Sequence, residues 1–212
     1  MNIDFNEVLV LAPHTDDGEI GCGGTISKLI SEGKKVHYLA FSSAKKSLRE
    51  QGRSEDTLVK EVKRATSVLG ISDNNLYIYD INVREFDKYR QDILDILIEH
   101  RNKINPDLVF APSINDIHQD HEVVSREALR AFKNITILGY EMPWNNIEFQ
   151  TRAFIKLDEE FLNQKIKALK CYKSQSHRRY LNGDFIYSLA KMRGVQIESN
   201  LAEAFEVMRL VI

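Results

Sequence analysis

Residues 8–24, VLVLAPHTDDGEIGCGG, set His14, Asp16 and Asp17 between an apolar run and four glycines, Gly18, Gly21, Gly23 and Gly24. A neutral imidazole and a carboxylate three positions apart on a bend can grip one divalent cation, and zinc accepts both nitrogen and oxygen donors. A third donor must come from elsewhere. A second cluster, Asp116-Ile-His118-Gln-Asp120-His121, follows the apolar run Leu108 to Ala111. A His-x-Asp-Asp after a strand is commonly a capped turn, and an isolated His-x-x-His says less still. Two such clusters at corresponding strand ends say more, because neighbouring strands would make them converge.

The positioning elements follow from hydrophobic periodicity. Val8 to Ala12 is too short and too β-branched for a helix and reads as a strand buried on both faces, as in parallel sheets. Groups at the carboxyl end of such a strand face the crevice where ligands bind. The four glycines read as a tight turn, with helical spacing resuming at Thr25. Further strands are expected at 35–41, 76–79, 108–111, 135–140, 153–157 (a short edge strand) and 205–212. Helices are expected at 54–69, 87–101, 119–132, 158–172 and 180–193. His121 then falls in the first turn of a helix, where the macrodipole disfavours an imidazolium and suits a neutral metal ligand. The alternation predicts an α/β fold, a three-layer αβα Rossmann-like arrangement around a mostly parallel central sheet, forming one domain over residues 1–212.

Several residues have bland readings. Cys22 is a small packing residue rather than a nucleophile, because no histidine is assigned to it. His37 alternates with apolar neighbours and is structural, and His177 is a surface residue. The polar stretch 42–53, with Lys45, Lys46, Arg49 and Arg53, reads as a solvated loop, with contact to the phosphates of a nucleotide-linked substrate as its functional reading. Glu141 to Asn146 holds the only tryptophan, Trp144, and reads either as part of a substrate pocket or as packing.

Composition narrows the function classes. A formal net charge of −2 with interspersed signs provides no basic field for a nucleic-acid backbone or an anionic membrane. Met1 to Glu7 lacks the basic start and apolar core of a signal peptide, and no apolar run approaches the ~20 residues that span a bilayer. A cytoplasmic protein without membrane insertion is expected. Two cysteines, Cys22 and Cys171, form no disulfide framework or paired-ligand spacing.

Ala12-Pro-His14-Thr-Asp16-Asp17-Gly-Glu-Ile-Gly-Cys-Gly-Gly24 resembles the first motif of the PIG-L/LmbE-like zinc-dependent N-acetylglucosaminyl deacetylase family, and Asp116-Ile-His118-Gln-Asp120-His121 resembles its second. Weaker matches are Glu61-x-x-x-Ala65-x-x-x-Leu69-Gly70, Lys170-x-x-x-Ser174-Gln175 and Ala202-Glu-Ala-Phe205. Thr15 and Gln119 stand where proline is usual, and Leu58 where many members place an arginine. The resemblance implies that His14, Asp17 and His121 hold Zn2+, that Asp16 is the general base, and that His118 lies beside the metal without binding it. Two histidines and one carboxylate can also hold Fe2+ as a facial triad.

The implied reaction is hydrolysis of the acetyl group from an N-acetylated amino sugar or sugar conjugate of glycan, cell-envelope or secondary-metabolite biosynthesis, releasing acetate. Asp16 would move the proton, and His118, if protonated, would steady the oxyanion. The expected partner is a small-molecule N-acetyl sugar; a homo-oligomer stays open. The alternatives are a zinc hydratase acting on an unsaturated dicarboxylic acid, which would want several arginines around the metal, and a non-catalytic member of the fold.

Overall fold

The computed structural model describes residues 5–212; residues 1–4, part of the stretch read above for a leader, lie outside the described residues. In chain order the elements are β1 (Glu7–His14), α1 (Asp17–Ser31), β2 (Lys35–Ser42), α2 (Lys45–Glu50), α3 (Thr57–Leu69), β3 (Leu76–Ile78) and α4 (Arg90–Ile104). There follow β4 (Leu108–Pro112), α5 (Gln119–Ala131), β5 (Thr136–Tyr140), β6 (Ala153–Leu157), α6 (Glu159–Leu169), α7 (Gly183–Val195) and β7 (Leu201–Arg209). The strands form one sheet in the order β3-β2-β1-β4-β5-β7-β6. β1 to β5 pair in parallel, and β7 runs antiparallel between β5 and the edge strand β6.

Successive side chains of β1 point to opposite faces, and both faces are buried. Val8, Val10 and Ala12 join Ile20 and Ile26 of α1, Leu69 of α3 and Leu169 of α6. Leu9 and Leu11 join Ile93 and Leu97 of α4 and Val124 and Ala128 of α5. Helices covering both faces explain why the strand is a continuous apolar run, and they give the expected three-layer αβα architecture. Among the described residues no helix is long and apolar enough to cross a membrane.

The glycine-rich stretch differs from its reading as a turn: all four glycines lie inside α1. Close packing requires them there. A Cβ on Gly21 would stand 2.4 Å from Tyr140 Cδ2, and one on Gly18 2.5 Å from Tyr38 Cε2. The helix breaks at Cys22, where φ is −144° and ψ 25°. Near this kink a buried carboxylate from β7 accepts backbone hydrogen bonds: Gly24 N–H donates to Glu203 Oε1 (3.1 Å) and Thr25 N–H to Oε2 (2.7 Å). Lys165 Nζ, equally buried, balances the charge at 2.6 Å. This carboxylate also explains why β7 begins at Leu201 rather than at Phe205: Glu203 interrupts the apolar pattern without leaving the strand.

The stretch 42–53 is not all loop, since α2 forms within it, and three of its four basic residues are answered by carboxylates outside. Lys45 meets Asp80 (2.5 Å), Lys46 meets Glu85 (2.7 Å) and Arg49 meets Glu55 (3.2 Å).

Gly21→Ala should lower stability by about 1–3 kcal/mol, the cost of overpacking a filled core. Chemical unfolding checks this. An unchanged midpoint would mean that the Tyr140 ring, whose hydroxyl donates to the Leu11 carbonyl at 2.8 Å, can move aside.

Candidate metal centre and active site

From β1 the chain moves outward through β2 and β3 on one side, while β4 leads to β5 on the other. The crevice beyond the carboxyl ends of β1 and β4 is therefore the topological switch point, where open α/β sheets bind ligands. His14 is the last residue of β1, Asp16 the N-cap of α1 and Asp17 its first residue. His118 is the N-cap of α5, its Nδ1 accepting the Asp120 N–H at 3.2 Å, and His121 lies in that helix's first turn. The two clusters converge, and all five residues line one cavity of about 490 Å³.

Three atoms form a nearly equilateral triangle. His14 Nδ1 lies 3.1 Å from Asp17 Oδ2, His121 Nε2 lies 3.2 Å from the same oxygen, and the two nitrogens are 3.3 Å apart. A tetrahedral zinc with bonds of about 2.0–2.1 Å separates its ligand atoms by about 3.3 Å. The three imidazoles of His14, His118 and His121 also offer nitrogens within 4.8 Å of one another, so a three-histidine set is a second, looser donor group. The triangle through Asp17 matches the metal's dimensions more closely.

The outward nitrogens of both rings are fixed by carboxylates. His14 Nε2 lies 3.0 Å from Asp120 Oδ2 and His121 Nδ1 2.6 Å from Asp116 Oδ2. Ionised carboxylates only accept, so these ring nitrogens carry hydrogen and the opposite nitrogens face the crevice. Asp120 is itself held by the Arg84 N–H (2.7 Å), and Asp116 accepts the His118 N–H (2.8 Å).

Burial penalises the imidazolium of His14, yet Asp17 and Asp120 outweigh it and lift the pKa to about 9. His121 behaves likewise: burial opposes Asp17 and Asp116, and the pKa rises to about 10. Two adjacent carboxylates thus oppose both burial and the macrodipole of the helix start at His121. His118 is the opposite case. Burial, then repulsion by His14 and His121, lowers it to about 4, so it is neutral. Because its Nδ1 accepts, its proton sits on Nε2. Burial and Asp17 raise Asp16 to about 6, while His14 and Arg178 pull against them. Asp17 is held well below the usual carboxylate range, His121 and His14 overcoming the penalty of burial.

Other residues fall as their bland readings expected. Cys22 is buried with its thiol against the Gly18 carbonyl (3.3 Å), His37 is buried against Glu7 (2.9 Å), and His177 is exposed. Trp144 stands in the cavity wall, stacked on Tyr180 with ring centroids 3.8 Å apart and planes 11° from parallel. The weaker sequence matches also meet, since Glu61 accepts hydrogen bonds from Ser174 N–H (2.9 Å) and Oγ (2.5 Å).

Asp116, Asp120 and Glu19 are the participants to which sequence reasoning gave no role. The first two lie within the second motif, where a carboxylate beside each histidine was the available signal. Glu19 gave none, because its partners are distant. The hydroxyls of Tyr38 and Tyr172 lie 2.9 and 2.7 Å from the Thr15 carbonyl, and both also contact Glu19, fixing the turn that presents Asp16. Burial pushes Glu19 up to about 8, the two phenols offsetting only part of it, so it holds a proton at neutral pH.

Comparison with known proteins bears on this site. The family model PIG-L, GlcNAc-PI de-N-acetylase, matches residues 9–132. Over 175 residues the chain is 27% identical to YaiS of Escherichia coli, named as an uncharacterized deacetylase, covering 79% of this chain and 90% of that protein. Among solved structures, N,N'-diacetylchitobiose deacetylase from Pyrococcus horikoshii matches with a TM-score of 0.79 and 22% identity, over 97% of this chain and 84% of that one. The 4-carboxy-2-hydroxymuconate hydratase of Pseudomonas putida matches with a TM-score of 0.77 and 20% identity, over 98% of each chain. At such identities the two structures share the fold.

Asp116→Asn and Asp120→Asn keep an acceptor but lose the charge that aims each ring. Each should weaken binding of a divalent cation by about 10- to 100-fold without unfolding the protein. Competition against a chromogenic chelator reads this out; parental affinity in both would show that the rings need no carboxylate.

Proposed function

The chain belongs to the PIG-L family, and from that premise we propose that it is a zinc-dependent N-deacetylase releasing acetate from an N-acetylated amino sugar or sugar conjugate. The observation that carries this reading is the triangle of His14 Nδ1, Asp17 Oδ2 and His121 Nε2, with Asp16 and His118 in the same cavity wall. The three donors would hold the metal. Their mixture of imidazole nitrogen and carboxylate oxygen suits Zn2+, and Fe2+ accepts the same set. A bound zinc supplies Lewis acidity, acidifying water and polarising an amide carbonyl.

The protein's own groups do the rest. Asp16, ionised and raised toward neutrality, takes the proton of the attacking water and delivers it to the leaving amine nitrogen. His118 serves as a neutral donor, its Nε2–H stabilising the oxyanion that develops on the carbonyl oxygen. Support for an acetyl sugar comes from YaiS, named as a deacetylase, and from the structure named as N,N'-diacetylchitobiose deacetylase.

A hydratase of dicarboxylates would need several arginines around the metal. The cavity has two, Arg84 and Arg178, and Arg84 already reaches Glu50 at 3.3 Å. Five intact polar residues converging on one cavity argue against a non-catalytic role.

The purified protein should hold one divalent metal per chain, lost in His14→Ala, Asp17→Ala and His121→Ala but kept in His118→Ala, whose turnover should fall by a factor on the order of 10² to 10³. Elemental analysis with an acetate-release assay checks this, and loss of metal from His118→Ala would make the three-histidine set the true ligands.

The adjacent aspartates should separate cleanly. Asp16→Asn should bind zinc and substrate nearly normally while losing most of kcat, whereas Asp17→Asn should lose metal affinity and recover activity in excess zinc. Zinc rescue of Asp16→Asn alone would reverse the two roles.

A further inference from the structure

The charges lining the cavity are unevenly answered. Arg84 is tied to Glu50, and Lys45, Lys46 and Arg49 are tied to carboxylates elsewhere. Arg178 is different: among the described residues no carboxylate forms an ion pair with it. Its Nε donates to Gln175 Oε1 (2.5 Å) and its Nη1 to the Tyr180 hydroxyl (2.6 Å), both neutral acceptors. Two of its five N–H groups are thereby used, and three remain on a rigid planar fork.

That fork is held in place from several directions. Gln175 is buried and donates to Ser174 Oγ (3.4 Å), which in turn is fixed by the buried Glu61 of α3. The guanidinium also lies over the Tyr180 ring, 5.6 Å from its centroid, and Tyr180 stacks on Trp144. All four side chains, Trp144, Gln175, Arg178 and Tyr180, line the same cavity as Asp16 and the metal triangle. Leu58 of α3, also lining the cavity, is apolar and can answer no anion. A guanidinium aimed by side chains, with no carboxylate in ion-pair contact, acting on Asp16 only through space and facing a ligand cavity, is suited to a planar oxyanion, to which it can offer paired N–H donors.

We propose that Arg178 is the anchor for an oxyanion, a phosphate ester or a carboxylate, carried by the substituent of the N-acetyl sugar. The substrate class of this site is thus an anionic sugar conjugate. This rests on the deacetylase reading for the sugar but not for the anion. It also moves phosphate recognition away from the basic stretch 42–53, where Lys45, Lys46 and Arg49 are paired with carboxylates, to Arg178.

Trp144 is the sole tryptophan and reports on this wall directly. Zinc-loaded protein is titrated with N-acetylglucosamine 1-phosphate, N-acetylmuramic acid and N-acetylglucosamine while Trp144 fluorescence is followed, and acetate release from each is measured. At least one anionic sugar should bind about 10- to 100-fold more tightly than the neutral one, the range expected for hydrogen bonds to a charged group, and added salt should shrink the advantage. Which anionic sugar gains identifies phosphate or carboxylate as the source. Arg178→Gln should abolish the advantage, Arg178→Lys should keep part of it, and Lys46→Ala, outside the cavity, should keep all of it. Equal affinities in the parent, or an advantage that survives Arg178→Gln, overturns the proposal. So does a fall in kcat shared equally by all three sugars with a shifted pH profile, which would make Arg178 a partner of Asp16 instead. If no sugar releases acetate while the Arg178-dependent binding advantage persists, the reaction assigned above fails and the anion anchor stands.

Discussion

One carboxylate oxygen joins the separate parts of this site. Asp17 Oδ2 accepts the backbone N–H of His14 at 2.7 Å and faces His14 Nδ1 and His121 Nε2 at 3.1 and 3.2 Å. It thereby ties the end of β1 to the start of α1 and to the first turn of α5, across more than a hundred residues of chain. The parallel pairing of β1 with β4 brings those ends within reach, and the close packing of α1 against Tyr38 and Tyr140 sets their height above the sheet. Both are conditions for a triangle whose sides must match a metal's coordination sphere within a few tenths of an ångström.

The electrostatics have the same centre. Three buried carboxylates, Asp17, Asp116 and Asp120, surround two imidazoles, and they raise both rings well above the ordinary histidine range. A group of charges of this sign is most stable around positive charge, which a dication supplies in concentrated form. His118 stands just outside that balance. Repelled by the other two rings and capping a helix, it keeps a neutral imidazole in a cluster that is otherwise ionised. Nearly identical residue types a few positions apart thus acquire different chemistry from their surroundings alone.

The site's core was legible because its parts are short, contiguous motifs placed at the ends of recognisable strands. His14, Asp17 and His121 needed only one further assumption, that β1 and β4 are neighbours. The separate fates of Asp16 and Asp17 were not legible from spacing, since adjacent carboxylates differ only in where the turn aims them. Glu19, Glu203 and the wall of Trp144, Tyr180 and Arg178 depend on partners distant in sequence, so no local pattern marks them. The glycines misled for a related reason: a residue chosen because a tyrosine ring fills the space beside it looks in sequence like one chosen for a turn.

The position of β7 bears on how the molecule is assembled. This strand comes after every other one in the chain yet lies inside the sheet, between β5 and β6, and two of its carboxylates reach back to the site's supports. Glu203 receives amides of α1 at a sequence separation of 179 residues, and Glu206 receives Ser113 Oγ across 93 residues and the Asn115 side chain beside it. During synthesis the parallel half of the sheet can associate while β7 is still unmade, but neither the kinked first helix nor the loop leading to His118 has its anchor. The geometry of the candidate site therefore depends on contacts made by the last strand, so His14, Asp17 and His121 gain their rigid supports only when residues 203 and 206 have been added and β7 has entered the sheet.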